Sequence, residues 1–390
     1  MFGLMSLRSP LKLIPLIFLS LFAFHFLLSA LHQGYADTAS GLIAGSKSSD
    51  GKYGSGGVKP HPSTWRDLES AAGNVTRSGE KVNAAFVILA RNSDLWSLAD
   101  SIKQMERAFN HWANYPYVFL NEEPFSEEFK QYTQGLTKAR CSYGLIEPDH
   151  WRQPSWINEE KASAAREEMI KKKVIYGHSV PYRNMCRFNS GFFYRHPLLA
   201  NVDYYWRIEP GVKFFCDLPY DPFLVMKQKK AVYGFTLSLL EYIETIPTLW
   251  QATMEFMKSR PDLKVEGNAE AFLSDDGGAH YNLCHFWSNF ELGDLNFWRS
   301  EPYQAYFDFL DAKGGFYYER WGDAPVHSIG AALFAKKEQI LWFSDIGYRH
   351  EPFQHCPQGE EHTRGKCSCN PKDNFDWEWY SCTKRFTNLS

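Results

Sequence analysis

VNAAFVILA, residues 82–90, is a continuous apolar run of strand length, and the reading of the fold starts there. A strand buried on both faces of a parallel sheet needs apolar side chains in both directions, so it reads as an unbroken run rather than an alternation. Asn92-Ser93-Asp94 follows with N-cap chemistry, and Leu95, Leu98, Ile102, Met105 and Phe109 then recur at helical spacing. YVFL, residues 117–120, supplies a second short strand. Strand, helix and strand in that order make a βαβ unit, which places the chain in the α/β class. Doubly wound sheets bind ligands at the carboxyl ends of their strands. Arg91 lies just past the first strand, so it stands either where a nucleotide is expected or as a surface arginine capping the strand end.

Further elements continue the pattern. Residues 156–175 read as an exposed helix, with Glu159, Glu160, Glu167 and Glu168 ahead of Lys171 to Lys173, the charge order that suits the helix dipole. YYWRIEPGVKFF (204–215) and AVYGFTL (231–237) read as strands, and 247–258 as another helix ending before Pro261. No internal repeat is present. The expectation is one Rossmann-type domain over 80–390, a twisted sheet flanked by helices with long C-terminal loops over one face.

The segments before that domain assign a compartment. LIPLIFLSLFAFHFLLSAL, residues 13–31, holds no formal charge and would span about 28 Å as a helix, near the thickness of a bilayer core. Arg8 and Lys12 precede it and the first acidic residue, Asp37, follows it. By the positive-inside rule residues 1–12 form a cytoplasmic tail and the remainder faces the lumen. The run exceeds the apolar core of a cleaved signal peptide, and Leu31-His32-Gln33 is a poor cleavage site. Residues 32–79 read as a lumenal stem, since 40–57 contain five Ser and six Gly among eighteen residues. Asn74-Val75-Thr76 and Asn388-Leu389-Ser390 are glycosylation sequons in keeping with a lumenal location.

A formal charge of -3 gives no basic face for nucleic acid, and the lysine runs at 171–173 and 227–230 read as solvated surface. Eight cysteines follow the apolar segment, and in an oxidising lumen disulfides are their expected use. Cys356, Cys367, Cys369 and Cys382 crowd the C-terminus, where they would staple a loop-rich tail; their spacing is poor for zinc.

Four clusters offer chemistry. In Arg207-Ile208-Glu209-Pro210-Gly211-Val212 a carboxylate stands at the end of an aromatic strand, where Pro and Gly force it out of the ladder. YNLCHFWSNFE (281–291) places Glu291 among rings, a costly position for a carboxylate that is neither paired nor used. Asp275-Asp276-Gly277-Gly278, just upstream, reads as a turn rather than a metal pair. GGFYYERWGDAPVH (314–327) and DIGYRH (345–350) each offer a carboxylate and a histidine among aromatics, and a lone histidine is ordinarily a hydrogen-bonded structural residue.

Taken together these strings, with PYRNMCRFNSGFFYRHPLL (181–199), resemble the fungal Golgi α-1,2-mannosyltransferases of glycosyltransferase family 15, over essentially the whole lumenal part. The resemblance implies a GT-A-like fold, GDP-mannose as donor, a mannose-terminated glycan as acceptor, and manganese. It implies Glu209, of an E-P-x-V string that replaces D-x-D, and His350 as metal ligands; no D-x-D occurs in this chain. Glu351 follows where the family often has Pro. The resemblance further makes Glu291 the nucleophile and sets Tyr182 and Asp323 along the donor site. Retention of the α configuration follows either from a covalent glycosyl-enzyme or from same-face attack past a stabilising carboxylate. Two rival readings are mannosylphosphate transfer on the same scaffold, which would release GMP, and a non-catalytic lumenal lectin.

Overall fold

The computed structural model describes residues 80–389. The apolar run at 13–31 and the stem at 32–79 lie outside the described residues; among the described residues no helix is long and apolar enough to cross a membrane.

β1 (Ala84–Leu89) lies inside a seven-stranded sheet, with β2 (Tyr117–Asn121) and then β3 (Cys141–Leu145) on one side, all parallel. On its other side β4 (Tyr204–Arg207) runs parallel to it. Beyond β4 the sheet continues through β9 (Glu291–Asp294), β6 (Tyr233–Phe235) and β10 (Ile340–Trp342), and β9 is antiparallel to both of its neighbours; β7 (Ser238–Leu240) and β8 (Cys284–Phe286) pair separately as a two-stranded sheet. The unbroken apolar reading of β1 is explained by its surroundings. Phe86 and Ile88 enter the core on one face of the sheet and Ala85 and Val87 the core on the other.

The helix expected after β1 is α1 (Leu95–Met105), burying Leu95, Leu98, Ile102 and Met105. The exposed helix expected over 156–175 is Glu159–Lys171, with Asn158 accepting from the backbone of Lys161 at its start. The helix expected over 247–258 is Leu249–Ser259.

The segment 204–215 differs from its expectation. It does not continue as one strand: β4 stops at Arg207, and Lys213–Phe214 (β5) pairs instead in a separate sheet of order β12-β11-β5, where β11 is Tyr348–His350 and β12 is Phe353–His355. Between them Pro210 can donate nothing to a ladder and Gly211 sits at φ 85°, where a side chain is strained. The break turns Glu209 out of the sheet toward β11.

Three disulfides hold the C-terminal part: Cys216–Cys367, Cys284–Cys382 and Cys356–Cys369. Only the last staples the tail to itself; the other two anchor it to segments more than 90 residues upstream, at separations of 151 and 98. Cys141 and Cys186 are free. Asp275 to Gly278 is a turn, with Gly277 and Gly278 at positive φ and both carboxylates taken up, Asp275 by Arg385 and Asp276 by His280.

Candidate active site

The site is built on one face of the sheet by the period-two rule. Tyr205 and Arg207 of β4 lie opposite Gly293 and Glu291 of β9, and Tyr233 of β6 lies opposite Gly293, so all five side-chain positions share a face. Trp206 and Leu292, one residue out of step, enter the opposite core. Two helices cover the site face: α2 (Val180–Gly191) and α3 (Asp323–Phe334).

Glu291 is 1% exposed, and both carboxylate oxygens are bonded. Tyr205 donates its hydroxyl to Oε1, and Tyr233 donates to Oε2 at 3.0 Å. His327 Nδ1 lies 2.8 Å from Oε2, while its Nε2 lies 3.0 Å from the backbone carbonyl of Asn189. Both faces of this imidazole therefore meet acceptors, and the pair must hold a proton between Nδ1 and the carboxylate as well as one on Nε2. His327 is locked further by stacking on Trp298 at 4.3 Å and 23°, and Trp298 donates to Tyr205 Oη at 2.9 Å. Gly293 has a packing reason: a Cβ there would lie 2.5 Å from the Tyr205 ring, so glycine makes room for the ring that holds Glu291.

A cavity of about 20 Å³ adjoins Glu291, lined also by Arg207, Asn189, His327, Phe193 and Leu89. It has room for a water. Sequence reasoning expected Glu291 beside the reacting sugar; in the structure it is buried and lines this cavity together with Arg207, its cross-strand neighbour.

Arg207 is the hub. Its Nη1 donates to Asp323 Oδ2 at 2.6 Å and its Nη2 to Glu209 Oε1. Ser288 Oγ also donates to Asp323 Oδ2, at 2.9 Å. Burial alone would lower the basicity of this guanidinium, but Glu209, Asp323 and Glu291 hold it well above its usual value. Burial likewise works against the Glu209 carboxylate, yet the Arg207 charge and the His350 imidazole outweigh it and bring Glu209 down to about 2. Glu209 is thus an anion at any working pH.

The other oxygen, Glu209 Oε2, faces His350 Nε2 at 3.6 Å. His350 Nδ1 lies 2.9 Å from the Glu351 carbonyl, which fixes a proton on Nδ1. In the neutral ring Nε2 is then a bare lone pair aimed at the same point as a carboxylate, the arrangement a second partner imposes on metal-binding histidines. The donor set fits a divalent cation. Burial works to lower the His350 value, but the Glu209 carboxylate outweighs it and raises it overall.

Tyr182, in the first turn of α2, is half-buried between the Tyr176 ring (4.5 Å, 14°) and the Arg320 guanidinium, 5.1 Å from its centroid. Burial above all holds its hydroxyl protonated, well above its usual range, so it is a donor. Arg91 lies at the carboxyl end of β1 as expected, exposed, 3.9 Å from Glu122, and outside the Arg207 network.

A model of the Glycolipid 2-alpha-mannosyltransferase family matches residues 57–390. The chain belongs to glycosyltransferase family 15. Among its relatives, Alpha-1,2 mannosyltransferase KTR1 of Saccharomyces cerevisiae is 54% identical over 314 residues, covering 80% of each chain. Core-mannan synthase A (CmsA/Ktr4) of Aspergillus fumigatus, solved in a Mn/GDP form, superposes with a TM-score of 0.74 at 43% identity, covering 81% of this chain and 87% of that one. The mannosyltransferase Ktr4p of Saccharomyces cerevisiae in complex with GDP gives 0.76 at 41% identity, covering 80% and 84%. The described residues therefore carry the mixed α/β glycosyltransferase fold of this family.

Of the residues named from the family-15 resemblance, the structure joins Glu209 and Asp323 directly to Arg207 and His350 to Glu209, with Glu291 opposite Arg207 across the strands. Tyr182 stands to one side, beyond Arg320. Sequence reasoning missed Arg207, Tyr205 and Tyr233, although Arg207 and Tyr205 alternate in the string that ends at Glu209. His327 was visible as a histidine, but its pairing with Glu291, 36 residues away, was not.

Proposed function

We propose that this chain is a retaining α-1,2-mannosyltransferase that moves mannose from GDP-mannose to a mannose-terminated glycan of a glycoprotein, with manganese as its metal. The observation that carries this reading is the Glu209–His350 pair, carboxylate to imidazole 3.6 Å, at the carboxyl end of β4 where doubly wound sheets bind nucleotides. Mixed oxygen and nitrogen donors favour manganese over magnesium. When bound, the cation neutralises the diphosphate as it departs.

The chain's own residues do the rest. Glu209 and His350 are the ligands, and Arg207 keeps Glu209 ionised and aimed. Tyr182 donates its hydroxyl to the nucleotide or diphosphate, Asp323 accepts from sugar hydroxyls, and Arg91 meets the nucleotide at the β1 end. Glu291 supplies the negative charge for the oxocarbenium-like state. Its three hydrogen bonds favour a fixed stabilising charge over a covalent nucleophile, because each bond lowers the availability of its lone pairs. Same-face attack is therefore the preferred route to retention. The fold is read as GT-A-like, and residues 1–79 as cytoplasmic tail, single membrane-spanning anchor (13–31) and stem of a Golgi enzyme whose domain at 80–390 is lumenal.

Two measurements test this. Glu209→Ala and His350→Ala should each weaken manganese-dependent GDP binding at least tenfold by calorimetry, and unchanged affinity would remove both as ligands. Glu291→Gln should abolish mannose transfer while GDP still binds; near-normal turnover would overturn its role. Release of GDP rather than GMP separates this reading from mannosylphosphate transfer.

A further inference from the structure

Trp379 is 85% exposed, the most open large apolar side chain among the described residues, and Trp377, Tyr242 and Ile243 are 57, 55 and 48% exposed. Exposed apolar surface of this kind marks an interaction site. These side chains are not isolated. Trp379 packs on Tyr380 at 5.3 Å, and Tyr380 on Tyr242 at 6.3 Å and on Phe353 at 6.1 Å. Phe353 packs on Trp287 at 5.6 Å, and Trp287 sits edge-on to His350 at 4.8 Å. The aromatic path thus begins at the candidate metal ligand and ends in solvent. On its other flank Tyr242 follows Glu241, whose carboxylate is 3.9 Å from Arg320, the cation lying over Tyr182.

The segment bearing Trp379 is tied to the body of the domain. Cys284–Cys382 fixes it, and Leu240 donates its backbone N–H to the Tyr380 carbonyl at 3.2 Å. Beside Trp379 opens a hollow of about 630 Å³ whose rim includes Ser381, Lys384, Arg385 and Asn388. A flat ring next to hydroxyl, ammonium and amide groups suits a carbohydrate, whose C–H faces stack while its hydroxyls are bonded at the edge.

We infer that Trp379 and Tyr242, braced by Tyr380, form a platform for the acceptor glycan, stacking the sugars that lie beyond the mannose that reacts. This rests on the transferase reading. It adds that acceptor length is sensed outside the cleft, through KM rather than kcat.

The purified full chain is assayed with GDP-mannose and manganese against methyl α-mannoside and an α-1,2-linked mannotetraose. The wild type should show a lower KM for the tetraose, and Trp379→Ala should shrink that advantage about tenfold, a stacking contribution of about 1.4 kcal/mol, with kcat on the tetraose held. Tyr242→Ala should shrink it in the same direction, and Trp379→Phe should restore most of it. Trp156→Ala, an exposed tryptophan elsewhere, should leave it intact. A wild-type enzyme that transfers equally well to both acceptors would overturn the platform while leaving the transferase standing; absence of any transfer would overturn the transferase itself. If Trp379→Ala does not fold, the Tyr242→Ala ratio decides alone. If Asn388→Gln changes the ratio and Trp379→Ala does not, the hollow holds the protein's own N-glycan and the platform fails.

Discussion

Replacing His327 by phenylalanine isolates the proton-sharing contact beneath the site. The phenyl ring keeps the stacking surface against Trp298, so the change removes two polar contacts without opening a large cavity. Glu291 and His327 side chains are each 1% exposed. Removing one partner of a buried pair costs about 3–5 kcal/mol, because the other charge stays buried without compensation. At roughly 2 °C per kcal/mol for a domain of this size, the melting temperature should fall by about 6–10 °C. Glu291→Gln should behave differently. Its amide can donate one N–H to His327 Nδ1 and the other to Tyr233 Oη, which turns from donor to acceptor, while its oxygen accepts from Tyr205, so every group keeps a partner and the loss should stay below about 1.5 kcal/mol. Combining the two removes the buried charge, and the double variant should be at least about 1.5 kcal/mol more stable than the sum of the single losses predicts. Urea unfolding followed by tryptophan fluorescence measures all four proteins. Additive losses, or a His327→Phe variant as stable as the wild type, would refute the shared proton. In transfer assays His327→Phe should lower kcat while the affinity for GDP with manganese is retained, since neither proposed metal ligand, Glu209 or His350, touches the ring.

Other consequences are simpler to read. Burial would lower the value of His355, but the Asp376 carboxylate 2.7 Å away raises it overall. A raised folded-state value means this pair stabilises in full below the unfolded histidine value, about 6.5, and loses that contribution as pH climbs through the folded value. Urea midpoints should therefore fall on the alkaline side, and His355→Phe should flatten that dependence; an unchanged slope would rule the pair out as its source. Thiol titration of the unfolded chain without reductant should find two free sulfhydryls, Cys141 and Cys186, with the three disulfides accounting for the rest. Four or more thiols would contradict the pairing.

Much of this protein was legible before its structure. The apolar run of β1, the helical spacing of α1 and the N-cap residues ahead of it are local patterns, each set by the sterics and hydrogen bonding of neighbours in the chain. The E-P-G-V break was legible too, because proline and glycine act on their own backbone, and the strings around Glu209, His350 and Glu291 carried the family. What surrounds those residues was decided elsewhere. Tyr205 and Tyr233 reach Glu291 across 86 and 58 residues, and Arg207 reaches Asp323 across 116. Those meetings depend on the antiparallel register of β9 between β4 and β6, and a slip of one residue would send Glu291 into the opposite core. Sequence alone therefore named the charged groups; only the sheet's pairing determined that Arg207 joins them and that Glu291 is enclosed with a histidine.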